Sequence, residues 1–160
     1  MILNRQRRVR VPVKDLGKFL ARASRVLRLP PGSLTVCLVT DAEIARWNRG
    51  YRGKQGPTDV LSFPAVAKPS RGATKRKYES SLKRRGDFPV PRSSASYLGD
   101  IAIAPAVARR YARRFDRTFD EEMRILIVHG MLHLMGYDHE TDTGQMDRRE
   151  RRVRHRLGLA

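Results

Sequence analysis

Three histidines stand close together in the segment HGMLHLMGYDH, residues 129–139. His129 and His133 are four residues apart, so on a helix they share one face, about 6 Å apart along the axis. Both imidazoles can then reach one ion at the ~2.0–2.1 Å that zinc requires. Gly136 can end the helix in a left-handed turn that returns His139 as a third ligand. Three nitrogen ligands with an open fourth position are typical of a catalytic zinc site, so the sequence predicts one Zn²⁺ per chain.

The ligand spacing is that of the zinc-protease pattern H-E-x-x-H-x-x-G-x-x-H, but Gly130 stands where that pattern has its glutamate base. A peptidase needs this carboxylate to take a proton from water and pass it to the leaving amine. Zinc alone still lowers the pKa of bound water towards ~7. A phosphodiester also requires neutralisation of charge on its non-bridging oxygens. The missing glutamate therefore argues against peptide hydrolysis more strongly than against phosphodiester cleavage.

Neighbouring polar residues have two interpretations. A single buried histidine is more often a hydrogen-bonded core residue than a ligand, but three of the four histidines of this chain lie within one short segment. Asp138 or Asp142 could orient a metal ligand through a hydrogen bond. Alternatively, either residue could cap a helix end or simply be solvated. His155, within RRVRHRLG, is expected at the surface.

The chain is strongly basic, with 34 Lys and Arg against 16 Asp and Glu and a formal net charge of +18. Such a charge attracts nucleic-acid phosphates, although it also serves solubility. No strongly amphipathic basic helix indicates a membrane surface. A single cysteine, Cys37, excludes a disulfide framework, and its apolar surroundings indicate that it is buried in a strand. No apolar region follows the basic N-terminal residues, so a cytoplasmic location is expected.

Apolar periodicity outlines the elements that must position the histidines. In the first part we expect a helix over 16–27, a strand in SLTVCLV, a short helix from the capping box TDAE (40–43) through Trp47, and a strand in VLSF. Further on we expect a strand in YLGDIAIA, a helix from Pro105 to about Phe115, a buried helix after the capping box TFDE (118–121), and a last helix from Thr143 to Leu157.

The segment 67–96 between these two parts mixes Pro, Gly, Ser and dense positive charge and shows no periodicity. It is expected to be a basic, flexible surface insertion, either an RNA-gripping arm or a solvated loop. The predicted fold is α/β of the α+β type, with a small mixed β-sheet, about five helices and a zincin-like H-x-x-x-H helix, in a single domain over 1–160.

Three segments together resemble the YbeY family of bacterial endoribonucleases and rRNA maturation factors. They are VHGMLHLMGYDHETD (128–142), NRGYRGKQGPTDVLSFP (48–64) and LGDIAIA (98–104). The resemblance implies a small α/β fold in which residues matching His129, His133 and His139 hold zinc, with Arg52 beside the metal cleft. It also implies cleavage of single-stranded RNA, small-subunit rRNA maturation, ribosome quality control, and the small ribosomal subunit and the GTPase Era as partners. The stretch between SFP and YLGD is longer and more basic than expected of the family.

The hypothesis is therefore a zinc-dependent, single-strand-specific endoribonuclease. Arg52 would stabilise negative charge, although it could also be a loop arginine bonded to turn carbonyls. Lys54 and the basic loop 68–92 would attract RNA, and TDVLSF is either a core strand or an exposed edge that aligns an extended substrate. The nucleophile is either metal-activated water or the 2′-hydroxyl of the RNA. The alternatives are a metallopeptidase-like hydrolase with Asp138 or Glu140 as base, and a non-catalytic, zinc-stabilised ribosome assembly factor.

Overall fold

A computed structural model describes residues 1–65 and 96–159 of the chain. Within them the strands are β1 (Ile2–Asn4), β2 (Leu34–Leu38), β3 (Val60–Pro64) and β4 (Gly99–Ile103). The helices are α1 (Val13–Leu27), α2 (Asp41–Arg52), α3 (Pro105–Arg114), α4 (Phe119–Leu134) and α5 (Gln145–Arg156). The insertion predicted at 67–96 lies outside the described residues except for Ser96. None of the helices in the described part of the chain combines the length and apolarity needed to cross a membrane.

The described strands form one sheet in the order β1-β2-β4-β3. β1, β2 and β4 are parallel, and β3 runs antiparallel to β4 with Leu61 opposite Ala102. The predicted α+β class, with a small mixed sheet and about five helices, is thereby confirmed. β3 is the outermost strand at its side of the described sheet. Within the described residues it is an edge strand, one of the two alternatives that the sequence left open.

The backbone of β3 alternates between its two sides. The carbonyl of Asp59 accepts from the amide of Ala104 at 2.9 Å, and the amide of Ala65 donates to the carbonyl of Leu98 at 2.8 Å. In an antiparallel ladder, residues two apart direct their peptide groups to the same side. The peptide groups of Val60 and Ser62 therefore point away from β4, towards the outer edge.

The core lies between the sheet and helices α1 and α4. It is built from fully buried aliphatic side chains of the sheet and the helices, among them Leu16, Val36, Ile101, Ile103, Met123, Ile127, Met131 and Leu132. A second, smaller cluster on the other side of the sheet contains Cys37, Ile44, Phe63 and Val107. α4 is apolar over most of its surface, as expected for a helix buried between a sheet and other helices. It is therefore a rigid support for whatever its last two turns carry.

Two capping boxes begin α2 and α4 as predicted. The Thr40 hydroxyl accepts from the Glu43 amide at 3.2 Å, and the Glu43 carboxylate accepts from the Thr40 amide at 3.0 Å. Thr118 and Glu121 make the same reciprocal pair at the start of α4. Each box satisfies amide groups that the first helical turn leaves without partners.

The predicted end of α2 at Trp47 was wrong, because the helix continues to Arg52. The rings of Trp47 and Tyr51 both pack on Phe63 of β3, with centroids 6.0 and 5.1 Å away, which favours the extra helical turn. Gly53 then ends the helix in a left-handed conformation with φ +70°. Arg52 thus belongs to a helix whose last turn is fixed against the sheet.

Candidate metal centre

The end of α4 places two histidines on one face and returns a third towards them. The amide of Gly136 donates to the His133 carbonyl at 3.0 Å, and Gly136 has φ +92°, a left-handed conformation that glycine adopts without strain. The chain therefore reverses direction just after the helix. One ligand nitrogen from each of His129, His133 and His139 then lies within 4.8 Å of the others. The sequence prediction that these side chains meet agrees with this geometry.

Two of the rings are oriented by hydrogen bonds on their far nitrogens. His129 Nδ1 lies 3.0 Å from a carboxylate oxygen of Glu150, and His133 Nδ1 lies 3.0 Å from the carbonyl oxygen of Tyr137. A carbonyl or carboxylate can only accept, so each Nδ1 carries the proton. The two Nε2 atoms lie 3.1 Å apart. In the neutral form of each ring, this nitrogen carries the lone pair that a metal ligand requires.

The ionisation of the site suits metal binding. The pKa of His133 is lowered from 6.5 to about 4, chiefly by burial and then by the neighbouring His129 and His139, against weaker opposing effects of Asp138 and the Tyr137 carbonyl. The His133 ring is therefore neutral near pH 7, as a metal ligand must be. Three converging imidazoles form a donor set that suits zinc and other borderline divalent ions.

Sequence patterns do not indicate Glu150, because it lies 21 residues from His129 in the chain. It stands on α5, which packs against α4, and only that packing brings its carboxylate to the imidazole. Burial raises the pKa of Glu150, but the hydrogen bond and charge of His129 and the charge of Arg154 outweigh burial, so the pKa is lowered. Glu150 is thus a carboxylate at neutral pH, able to fix the His129 ring.

The two aspartates considered for that role have other partners. Asp138 accepts from the amide of Glu140 at 3.0 Å and from the Thr141 hydroxyl at 3.2 Å. Asp142 accepts from three successive amides at the start of α5, those of Gly144, Gln145 and Met146. The capping interpretation is therefore supported for Asp142, whereas Asp138 is bonded within its own loop. His155 is exposed, as expected.

Gly130 faces the sheet and not the cleft. A Cβ built at this position would lie 2.7 Å from Cγ2 of Ile101 on β4, closer than real Cβ contacts come. The Gly130 carbonyl also accepts from the Ser62 hydroxyl of β3 at 3.3 Å. The absence of a side chain here lets α4 approach the sheet closely. The position that holds the base in zinc proteases therefore serves packing in this chain.

Arg52 lies at the mouth of the cleft and is paired with an acidic residue. One terminal nitrogen of its guanidinium lies 2.8 Å from a carboxylate oxygen of Glu140, and Lys54 Nζ lies 3.8 Å from the same oxygen. Glu140 follows His139 directly in the chain. Arg52 is therefore bonded to a side chain from the metal-site loop, and not to turn carbonyls as the alternative interpretation required.

The cleft itself has a volume of about 460 Å³. One wall is β3, the floor is α4, and the mouth is formed by the loop after α4 together with the end of α2. Its lining includes Arg52, Asp59, Ser62, His129, His133 and His139. Asp59 is fixed by the Thr58 hydroxyl and the Val60 amide, at 3.1 and 2.9 Å. A ligand entering the cleft meets the imidazoles and the Arg52 guanidinium, together with the carboxylates of Asp59, Asp138 and Glu140.

Comparisons with known proteins cover nearly the whole chain. A family model described as Endoribonuclease YbeY matches residues 2–158. An Endoribonuclease YbeY of Koribacter versatilis is 34% identical over 159 residues, covering 99% of this chain and 86% of that protein. A second, of a Sulfurovum species, is 37% identical over 123 residues, covering 76% of this chain and 71% of that protein. The solution structure of a Thermotoga maritima protein, 25% identical, aligns with a TM-score of 0.57 over 98% of this chain and 89% of its own.

Proposed function

Because the chain belongs to the YbeY endoribonuclease family, we propose that it is a zinc-dependent endoribonuclease specific for single-stranded RNA. Its proposed roles are maturation of small-subunit rRNA and ribosome quality control, with the small ribosomal subunit and the GTPase Era as partners. A single domain over residues 1–160 carries the activity in this proposal. The observation that carries it is the convergence of three imidazole nitrogens within 4.8 Å, in a cleft that Arg52 also lines.

The metal would be held by His129, His133 and His139. Glu150 and the Tyr137 carbonyl would fix the first two rings. When bound, zinc supplies a Lewis acid for phosphate oxygens and lowers the pKa of water. The chain itself supplies the geometry, since α4 is buried and its last two turns are held by the sheet and by α5. A fixed ligand set of this kind requires little rearrangement when a substrate enters.

Arg52 is the proposed residue for charge neutralisation. A guanidinium can bind two oxygens of a phosphate at once, which fits a phosphodiester whose negative charge must be balanced during cleavage. In the free protein the carboxylate of Glu140 occupies this guanidinium. A phosphate would replace Glu140 there, with Lys54 as a second cation near the same point. The Arg52 contact thus supports the proposal through its chemistry as an oxyanion partner.

The metallopeptidase alternative requires a free carboxylate in the cleft. Of the two candidates, Asp138 accepts two hydrogen bonds from its own loop, and Glu140 is paired with Arg52 and Lys54. Gly130 has no side chain and faces Ile101. Among the described residues, these contacts favour phosphodiester over peptide cleavage.

A paired metal and activity measurement tests the proposal. Purified wild-type protein, His133→Ala and Arg52→Ala are assayed for zinc content and for cleavage of unstructured RNA and of a casein-like protein. His155→Ala and Arg49→Ala serve as matched controls, because both side chains are exposed and neither lines the cleft. We expect RNA cleavage to be lost in both cleft variants and kept in both controls, with zinc retained by Arg52→Ala.

The outcomes separate the alternatives. Ribonuclease activity that survives in His133→Ala at equal purity indicates a contaminant. Casein cleavage that His133→Ala abolishes indicates the peptidase. A wild-type protein that cleaves nothing, with Arg52→Ala supporting normal ribosome maturation, indicates the non-catalytic assembly factor. If RNA is cleaved, a cyclic phosphate at the product end identifies the 2′-hydroxyl of the RNA as the nucleophile.

A further inference from the structure

An exposed aromatic ring marks the end of α3, away from the metal cleft. Phe115 directly follows the helix and is 54% exposed, which is unusual for a phenylalanine. The ring of Tyr111, one helical turn earlier, lies nearly parallel to it, with an interplanar angle of 15° and centroids 6.1 Å apart. One side of the Phe115 ring is therefore supported by an aromatic neighbour, and much of the side chain remains accessible to solvent.

Arginines surround this ring. The guanidinium carbons of Arg114 and Arg117 lie 6.0 and 5.3 Å from the Phe115 centroid. Arg117 is held in place by an ion pair of 3.0 Å with Glu122, whose side chain is buried. Arg113 is exposed on the last turn of the helix. The ring thus has two guanidinium groups beside it, one of them fixed by the buried Glu122, and a third arginine on the preceding helical turn.

We infer that this surface, the Phe115 platform (Tyr111, Arg113, Arg114, Phe115 and Arg117), binds single-stranded RNA by stacking an unpaired base on the Phe115 ring. Aromatic rings flanked by cations are the usual means of binding unpaired nucleotides, because every base has a π face and each nucleotide carries a phosphate. A duplex hides its base faces in its own stack and cannot use the ring in this way. The platform therefore selects for unpaired RNA, whereas the arginines alone attract any polyanion.

The platform is separate from the cleft. α4 begins at Phe119, just after the platform, and His129 lies ten residues further along, about 15 Å along the helix axis. A long RNA strand can contact both places, but a dinucleotide in the cleft cannot reach Phe115. The choice of RNA as ligand rests on the proposed function. The platform would add affinity for long single strands without taking part in cleavage.

The test is binding of a fluorescent polyuridylate, measured by anisotropy with EDTA present so that the probe is not cleaved. Phe115→Ala should raise the Kd about 5- to 100-fold, as expected for loss of one base–aromatic stack. Phe115→Trp should keep wild-type affinity, and Phe115→Leu should lose it, because leucine retains apolar surface but no π face. A hairpin duplex should bind all four proteins equally.

Salt dependence gives a second readout. Arg113→Ala should reduce the slope of log K against log salt by about 0.7, whereas Phe115→Ala should leave that slope unchanged. Arg25→Ala removes an exposed arginine from the last turn of α1; it is the matched control and should change neither slope nor affinity. Thermal unfolding of each variant checks that it is folded.

Two results would overturn the platform: full affinity of folded Phe115→Ala for polyuridylate, or full affinity of Phe115→Leu. An effect of Phe115→Ala on a purified protein partner alone would assign the surface to protein binding and also overturn the inference. Cleavage of a uridine dinucleotide should be equal in wild type and Phe115→Ala. A wild type that cleaves no RNA while the binding results hold would contradict the proposed function and leave the platform intact.

Discussion

The carboxylate of Glu150 lies 3.0 Å from Nδ1 of His129, on the opposite side of the ring from the nitrogen that faces His133. This contact ties the last helix of the chain to the helix that carries the histidines. Arg154, one turn further along α5, lies 3.6 Å from the other oxygen of the same carboxylate. Glu150 is thus anchored on one side and orients the imidazole on the other.

Removing the Glu150 carboxylate should weaken metal binding. Without an acceptor on Nδ1, the His129 ring loses its fixed tautomer and part of its basicity, so Glu150→Ala should lower zinc affinity about 10- to 100-fold. Glu150→Gln keeps an acceptor but no charge, so its zinc affinity should lie between those of the wild type and Glu150→Ala. Competition with a chelating dye measures the affinity. Asp147→Asn, an exposed carboxylate on the same helix, is the control, and an equal loss there would show that the effect is one of overall charge.

Glu140 should compete with substrate for Arg52. Their ion pair is partly exposed, and such pairs contribute roughly 0.2–1 kcal/mol, so Glu140→Gln should lower the KM for RNA about 2- to 5-fold with kcat little changed. Steady-state cleavage of an unstructured RNA measures both constants. The control is Asp120→Asn, which breaks a comparable ion pair of 2.7 Å with Arg124 elsewhere on the surface. A higher KM in Glu140→Gln would instead mean that Glu140 holds Arg52 in its productive position.

The parts of this structure that could be predicted from sequence depend on local contacts. Both capping boxes join residues three apart, and the His129–His133 pair follows from helical periodicity over a single turn. Gly136 ends α4 because only a local left-handed turn is needed there. Each of these features is decided by neighbours in the chain, so spacing was enough to find them.

The parts that were missed depend on partners far along the chain. β1 has three residues, two of them half-buried and one exposed, and it is a strand only because it pairs with β2 some 34 residues later. α2 extends beyond Trp47 because its aromatic rings pack on Phe63. Glu150 reaches His129 only through the packing of α5 on α4. None of these long-range contacts produces a periodic pattern of apolar residues in the segments that make it.

Cys37 should be unreactive in the folded protein. Burial in the central strand β2 raises the pKa of this thiol from 9.0 to about 11, with Arg5 opposing the shift. At a pH of about 8 the thiolate is scarce and shielded, so iodoacetamide should label Cys37 only after denaturation. Because the folded pKa is the higher one, the thiol's contribution to the free energy of unfolding should be complete below pH 9.0 and decline as the pH rises towards about 11. Rapid labelling of the native protein would contradict this burial.

The absence of a side chain at position 130 should be required for stability, in addition to removing the base of the zinc-protease pattern. In Gly130→Ala the new Cβ would press on Ile101 at 2.7 Å, and forcing α4 away from β4 should cost about 1–3 kcal/mol, against which the helix preference of alanine returns less than about 1 kcal/mol. Gly17→Ala is the matched control, since Gly17 is also inside a helix but its Cβ would meet nothing within 4 Å. The free energies of unfolding of the two variants, measured with urea, should therefore change in opposite directions, with Gly17→Ala more stable than wild type by about 0.5–1 kcal/mol. If Gly130→Ala were also stabilised, the sheet would not limit this position, and the missing carboxylate would need a purely catalytic explanation.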